Sequence, residues 1–395
     1  MLNTIFNFVL NHKIIFLFYL VIIILAVISR KKIVTQAKFI LLYRTKWGLR
    51  WMDKYSQKFR EWIILFGYIG VGAGYVGLIV ISYVLIKNLY DLIVKPAAVS
   101  GVSLVLPGLN VPGIGVLPFW YWLIAIFVIA IVHEFSHGIV ARAHNIEVKN
   151  TGIVLFGPII GAFVEPNEEK LRKEKDIKQY SVLAAGSFSN IVLAAVALLL
   201  LNFAFMPLQQ TMIEPTGFTF DDYFGDVSPF SESQIAAGTL ITGINSQPTS
   251  NFQEFNEELF CAKPGDKVTI NTPEKDYSLV LGTNPDDPKR ALVGIQSIHN
   301  EFDIKEEYRH GIGKVAYYAL NWFNGFLRWL FLLSFGIGLF NLLPLPIVDG
   351  GRMTQVFLHR LRGKEKGEKS YRKLSMFFLL ILLLNLLYPL LSKLF

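Results

Sequence analysis

Six apolar stretches, each long enough to cross a bilayer as a helix, constrain this chain more than anything else in it: residues 13–29, 62–88, 119–141, 181–207, 316–343 and 374–394. A hydrocarbon core about 30 Å thick takes about 20 helical residues. Inside lipid a helix satisfies its own backbone hydrogen bonds, which an open strand or loop cannot do. The composition agrees, with 53% hydrophobic and only 17% charged residues, against about 25% charged in a soluble domain. The expectation is an α-helical polytopic membrane protein with about six transmembrane helices. The first stretch reads as a retained span, because basic residues follow it and no small-residue cleavage site does. The single cysteine, Cys261, excludes an intramolecular disulfide and a Cys-based metal site.

Charge between the spans gives an orientation. Residues 30–60 hold ten Lys/Arg, 142–178 hold seven and 352–373 hold eight. None occurs from Gln179 to Ala262, and the 89–118 loop has only Lys95. By the positive-inside rule the three basic loops face the cytoplasm. The N-terminus and residues 208–315 then lie outside a cell membrane. The net charge of +8 is thereby an orientation signal. Nucleic-acid binding calls for a basic patch on a polar surface, so lipid is the expected partner and nucleic acid is not.

Two apolar stretches do not read as helices. Residues 101–119 are broken by Gly101, Gly108, Gly113, Gly115, Pro107, Pro112 and Pro118, and residues 152–166 by Gly157-Pro158 and Gly161. Both read as membrane-embedded β-hairpins or re-entrant segments, which survive at that depth only when buried in protein or lining a cavity. An edge strand in such a cavity can pair with an unwound peptide; the alternative is that these segments plug the bundle.

The chemistry-bearing signal is His133-Glu134-Phe135-Ser136-His137, an HExxH pattern at the end of a charge-free run. On a helix, residues i and i+4 share a face, so both imidazoles reach one Zn²⁺ with Glu134 beside it. Zinc lowers the pKa of bound water to near 7, and a neighbouring carboxylate takes the proton. Counted from Phe119, His133 lies about 21 Å into the span at 1.5 Å per residue, a depth at which ionisable groups are costly unless they serve a site. A catalytic zinc wants a third protein ligand. His144 is one residue off the metzincin position, which Ala143 occupies, and reads as an interfacial histidine. Glu165, Glu168 and Glu169 are downstream carboxylates. Asp349 is favoured, because Pro344 and Pro346 break the fifth span and deliver it on an extended segment at the depth of the histidines. In the fourth span, Gly186-Ser187-Phe188-Ser189-Asn190 puts Asn190 at that depth too, as a group for substrate backbone or a developing oxyanion, or as helix–helix glue.

Together HEFSH (133–137), GSFSN (186–190) and NLLPLPIVDG (341–350) resemble the site-2 protease family of intramembrane zinc metalloproteases, over roughly residues 60–350. The resemblance implies one zinc ion held by His133, His137 and Asp349, Glu134 as catalytic base, and Asn190 and Asn341 in substrate handling. Residues 1–60 are less characteristic of that family's minimal core. Residues 208–315 are far more polar than the rest. A short helix ending at Gly238, the strand TLITGINSQP with its turn, a helix near 251–261 and alternating strands resemble the small αβ PDZ domains that many members carry between the same spans. The expected domains are residues 1–60, 61–207, 208–315 and 316–395. A PDZ groove takes a peptide end by strand addition, but no clean carboxylate-binding loop stands out, and a spacer or steric filter fits equally.

The sequence therefore points to an intramembrane endopeptidase that cuts transmembrane segments of membrane-anchored clients near the cytoplasmic side. Two rivals share its features: a membrane peptidase of prenyl-protein or heat-shock type, with Glu as third ligand, and a non-catalytic adaptor built on the PDZ-like domain.

Overall fold

The computed structural model describes residues 13–28, 33–36, 40–95, 101–102, 106–108, 110–111, 114–156, 159–225, 228–285 and 287–391. It divides into two compact units, Met1–Leu201 with Gly325–Phe395, and Asn202–Asn324.

The chain runs through α1 (Lys13–Ile28), β1 (Ile33–Gln36), β2 (Ile40–Thr45), α2 (Leu49–Lys58) and α3 (Arg60–Val94). The short hairpin β3 (Asn110–Val111) and β4 (Gly115–Val116) leads into α4 (Phe119–Ala143). Next come β5 (Val148–Phe156), β6 (Ile159–Pro166), α5 (Glu168–Lys173) and α6 (Asp176–Leu200), which continues through a π-helical turn, Leu201–Phe205, into α7 (Met206–Gln210). The second unit adds β7 (Ile213–Tyr223), α8 (Pro229–Glu232), β8 (Gly243–Ile244), β9 (Gln247–Pro248) and α9 (Phe252–Glu258). It continues with β10 (Lys267–Asn271), β11 (Tyr277–Val280), β12 (Gly282–Thr283), β13 (Ala291–Leu292) and β14 (Ile295–Ile304). The chain closes with α10 (Gly311–Phe340), α11 (Asp349–Arg362) and α12 (Lys364–Leu391).

Among the described residues five helical segments are long and apolar enough to cross a membrane: Arg60–Val94, Phe119–Ala143, Asp176–Gln210, Gly311–Phe340 and Lys364–Tyr388. The expected first span is helical over its 16 described residues, Lys13–Ile28. Its neighbours 1–12 and 29–32 lie outside the described residues. Helices pack in lipid through small residues, since lipid tails are as apolar as leucine. α3 shows how. Gly67, Gly70, Gly74 and Gly77 recur along one face of it, and a side chain there would run into Ser181, Phe188, Met353 and Leu342 respectively.

Both Gly/Pro-broken stretches form antiparallel hairpins. β3 pairs with β4, while β5 and β6 close a four-stranded sheet of order β1-β2-β5-β6. The β5–β6 register sets Val154 against Gly161 and Phe156 against Ile159. The expected break at Gly157-Pro158 lies outside the described residues. β6 is an edge strand of this sheet.

The second unit has its own core of Phe218, Phe220, Phe230, Phe255, Ile244 and Ile270. β7 and β14 pair antiparallel, and a second sheet runs β11-β10-β8-β9. The strand expected at TLITGINSQP is the tight hairpin β8–β9. Asn245 and Ser246 turn it at φ 50° and 65°, the left-handed pair that a two-residue hairpin needs. The helix expected to end at Gly238 stops at Glu232 instead, because Gln234 (φ 59°) and Gly238 (φ 80°) take left-handed turns that no helix contains.

Candidate metal centre

His133 and His137 stand one turn apart on α4 with their Nε2 atoms 3.2 Å apart. Asp349 Oδ2 lies 3.2 Å from His133 Nε2 and 3.3 Å from His137 Nε2. Among the described residues these three form the one cluster of His, Cys, Asp and Glu placed to hold a metal ion. The fit can be tested on the triangle itself. A point equidistant from three atoms so spaced is about 1.9 Å from each, so an ion slightly above the plane meets the ~2.0–2.2 Å of zinc to His and Asp and keeps a fourth position open. A nitrogen–nitrogen–oxygen set with one open side is the donor set of a catalytic zinc rather than of a closed structural one.

Neighbouring groups set the ring orientations. His137 Nδ1–H donates to the Val182 carbonyl at 2.7 Å, which leaves Nε2 as the lone-pair nitrogen. The His133 Nδ1 atom is 3.1 Å from the Asn190 carboxamide nitrogen. Asn190 is fully buried and its Oδ1 has no partner. With the amide turned over, Oδ1 accepts from His133 Nδ1–H. Ser187 Oγ donates to Asp349 Oδ2 at 3.3 Å. α6 can come this close because Gly186 lacks a side chain: a Cβ there would collide with His137 Nε2 and stand 2.7 Å from His133 Nε2.

Asp349 reaches the histidines differently from the expectation. Residues 341–348 form the irregular turn after α10, and Asp349 is the first residue of α11 rather than part of an extended segment. A helix N-terminus favours a carboxylate electrostatically. The turn folds back on itself, with Gly350 N–H donating to the Asn341 carbonyl at 2.8 Å, and the Leu342 and Leu345 carbonyls lie where side chains at Gly350 and Gly351 would be. That is why two glycines follow the aspartate.

Glu134 shares the site. Its Oε2 accepts the backbone N–H of Val164 on β6 at 2.9 Å, so the edge strand and the candidate base are joined directly. A cavity of about 630 Å³ opens here, lined by His133, Glu134, Gly161, Val164, Asn341 and Asp349 among others. The other candidate carboxylates stand outside the triangle. Glu165 meets Arg44 at 3.3 Å and Asn150 at 3.0 Å, and Glu168 takes both its hydrogen bonds from Arg352, at 2.7 and 2.8 Å. Glu169 is exposed on α5. His144 caps α4, buried against Ser181 at 3.1 Å and away from the cluster. Val182 and Val164 carry no motif, and Gly186 reads in the sequence only as a small residue at a helix contact. The first two act through backbone atoms and leave no side-chain signal.

The model of Peptidase family M50 matches residues 121–385. The chain belongs to that family, the site-2 proteases. Among relatives, an uncharacterized protein of Methanocaldococcus jannaschii is 25% identical over 329 residues, 82% of this chain and 79% of the relative. The zinc metalloprotease RasP of Oceanobacillus iheyensis is 24% identical over 249 residues, 51% of this chain and 56% of RasP. The protease RseP of Photorhabdus luminescens is 37% identical over 65 residues, 15% of this chain and 28% of RseP. The M50 chain is accordingly a metalloprotease and a multi-pass membrane protein.

Proposed function

We propose that this M50 protease is an intramembrane endopeptidase that hydrolyses a peptide bond within transmembrane segments of membrane-anchored clients. One observation carries the reading: Glu134, the His133–His137–Asp349 triangle and the edge of β6 all face one cavity. His133, His137 and Asp349 would hold a single zinc ion. When bound there, zinc supplies the Lewis acidity that eases deprotonation of water and polarises a carbonyl.

The chain's own residues do the rest. β6, an edge strand in the cavity, offers backbone hydrogen bonds to an unwound client segment, as strand addition requires. Asn341, which lines the same cavity, handles the client's backbone. Glu134 Oε takes a proton from the attacking water. The C–O bond forms at the scissile carbonyl, the C–N bond breaks, and Glu134 returns the proton to the leaving amine. The polar αβ unit, read as PDZ-like, serves as a peptide-binding or filtering module outside the cell membrane. The basic loops place the metal site near the cytoplasmic side.

Glu134→Gln tests the mechanism. The amide keeps the size of the side chain and cannot accept the proton, so zinc content should stay at the wild-type level while cleavage of a transmembrane reporter is lost. Persistent turnover would overturn it.

A further inference from the structure

The segment joining β2 to α3 has no part in the chemistry above, yet α2 shows three differently built faces. It buries Met52 and Ser56. Trp51 and Tyr55 form an exposed stripe that Trp47, Phe59 and Trp62 continue beyond the helix ends, with exposures from 36% at Tyr55 to 73% at Trp62. Lys46, Arg50, Lys54 and Lys58 repeat at steps of four, one position before the rings. All four are exposed, and none forms an ion pair among the described residues. Lys58 Nζ lies 5.2 Å over the Phe59 ring. At 3.6 residues per turn the aromatic stripe falls between the buried face and the basic stripe. In water this would be a large apolar patch with no cover. At a bilayer surface it is the arrangement of a helix lying in the interface plane: rings in the acyl boundary, basic heads among anionic headgroups.

The position of α2 agrees. Arg60 Nε, at the start of α3, donates to the Ala143 carbonyl at the end of α4 at 3.0 Å. Asp53 on α2 pairs with Arg142 in the last turn of α4 at 3.1 Å. α2 therefore lies where one membrane-length helix begins and another ends. It also grips the metal helix. The Trp47 ring packs edge-on against Phe135, inside the HExxH run, at 5.8 Å between centroids, and Met52 fills the space beside Gly138.

We propose that α2 and its flanking aromatics bind the anionic headgroup layer of the bilayer, and that this seating braces α4 and the histidines it carries. The occupant is lipid because four unpaired cations call for a negative surface, and the adjoining rings call for an apolar one reached from the same side. The proposal rests on the membrane placement of α3 and α4 and not on which way they point, nor on the identity of the metal.

The test uses the full chain in nanodiscs and reads amide hydrogen exchange over residues 49–58. A basic residue near an anionic surface is worth roughly fivefold in binding. Moving from pure phosphatidylcholine to about 30% phosphatidylglycerol should therefore slow exchange at least about tenfold at low salt. High salt should reverse the change. A variant carrying Lys46→Gln, Arg50→Gln, Lys54→Gln and Lys58→Gln should show no dependence on lipid charge, with exchange in α3 unchanged and exchange at the α2-facing end of α4 faster than in the wild type. A second measurement needs no charge variant: lipids brominated near the headgroup end should quench wild-type tryptophan fluorescence more than that of Trp51→Phe. Exchange that ignores lipid charge in the wild type, or responds equally in the fourfold variant, would overturn the proposal. So would protection that follows protein density in the disc, which would assign the face to a second copy of the chain.

Discussion

Adding one methyl group at Gly186 should empty the metal site. The perturbation, Gly186→Ala, sits mid-helix, where alanine improves helix propensity by about 1 kcal/mol. Against that, the new Cβ would overlap His137 Nε2 and stand 2.7 Å from both Cε1 and Nε2 of His133. Overpacking of this kind costs about 1–3 kcal/mol, so the metal-free protein should be unchanged or destabilised by up to about 2 kcal/mol. The effect on zinc should be larger. Losing an outer partner of a metal ligand weakens binding by about 10–100-fold, and here the ligand nitrogens themselves must move. Zinc affinity should fall by more than 100-fold, about 2.8 kcal/mol. Chelator competition on the purified protein measures this, alongside melting with and without metal. Gly72→Ala is the control: a Cβ there meets nothing within 4 Å, so the same substitution in a membrane-length helix should leave zinc affinity alone. Wild-type zinc affinity in Gly186→Ala would refute the reasoning, because it would mean that α6 does not press on the histidines.

Three further outcomes follow from the same geometry. Asn190→Leu removes the carboxamide beside His133 and should weaken zinc binding about 10–100-fold. Asn190→Asp should hold it, since a carboxylate accepts from the same ring N–H; a shift in the visible spectrum of the cobalt-loaded protein reports on the ligand sphere in both. Asp349→Ala should lose zinc while Glu165→Ala keeps it, and the reverse result would favour the peptidase type that uses Glu as third ligand. His144, just past α4, is held below the ordinary histidine range first by burial and then by nearby Lys178. Its unfolded form takes up a proton before its folded form does. It contributes no destabilisation above about pH 6.5, and stability should fall as pH drops below that value, by at most about 1.4 kcal/mol per unit. Melting of wild type and His144→Gln at about pH 7.5 and 5.5 should show the smaller acid loss in the variant.

What the sequence made legible and what it hid divide along physical lines. Spans and the HExxH run are short-range patterns: apolar length and a spacing of four are written into consecutive residues. Asp349 lies more than 200 residues beyond the histidines, yet its depth along a proline-broken span linked it to them. The helix start at Asp349 was not legible, because it depends on the Gly350 N–H closing back on the Asn341 carbonyl, and the Gly350-Gly351 pair that permits this approach reads in sequence as an ordinary turn. The α2 surface escaped for a different reason. Ten residues are too few for a span, and the basic side chains along it carry an orientation signal in the sequence, whereas their alignment beside the aromatic stripe exists only on the folded helix.

The glycines show most plainly why the site needed coordinates. In lipid, burial of apolar surface does little to draw helices together, and close approach must come from small residues. Here that approach is made repeatedly around one pair of histidines. Gly186 admits α6 against the rings, the α3 glycines admit Ser181, Phe188 and Met353, and Gly138 and Gly48 admit Met52 and Phe135. Each of these contacts would be filled by a single methyl group, so the positions are set by what is missing from the side chain. Gly186 is legible in the sequence as a small residue that lets helices approach, but which side chain each glycine meets is set only by the fold. A metal triangle 3.2–3.3 Å on a side tolerates little displacement, since productive constellations are held to about 0.5 Å. The geometry of the chemistry is therefore inherited from helix spacing, and helix spacing from glycine.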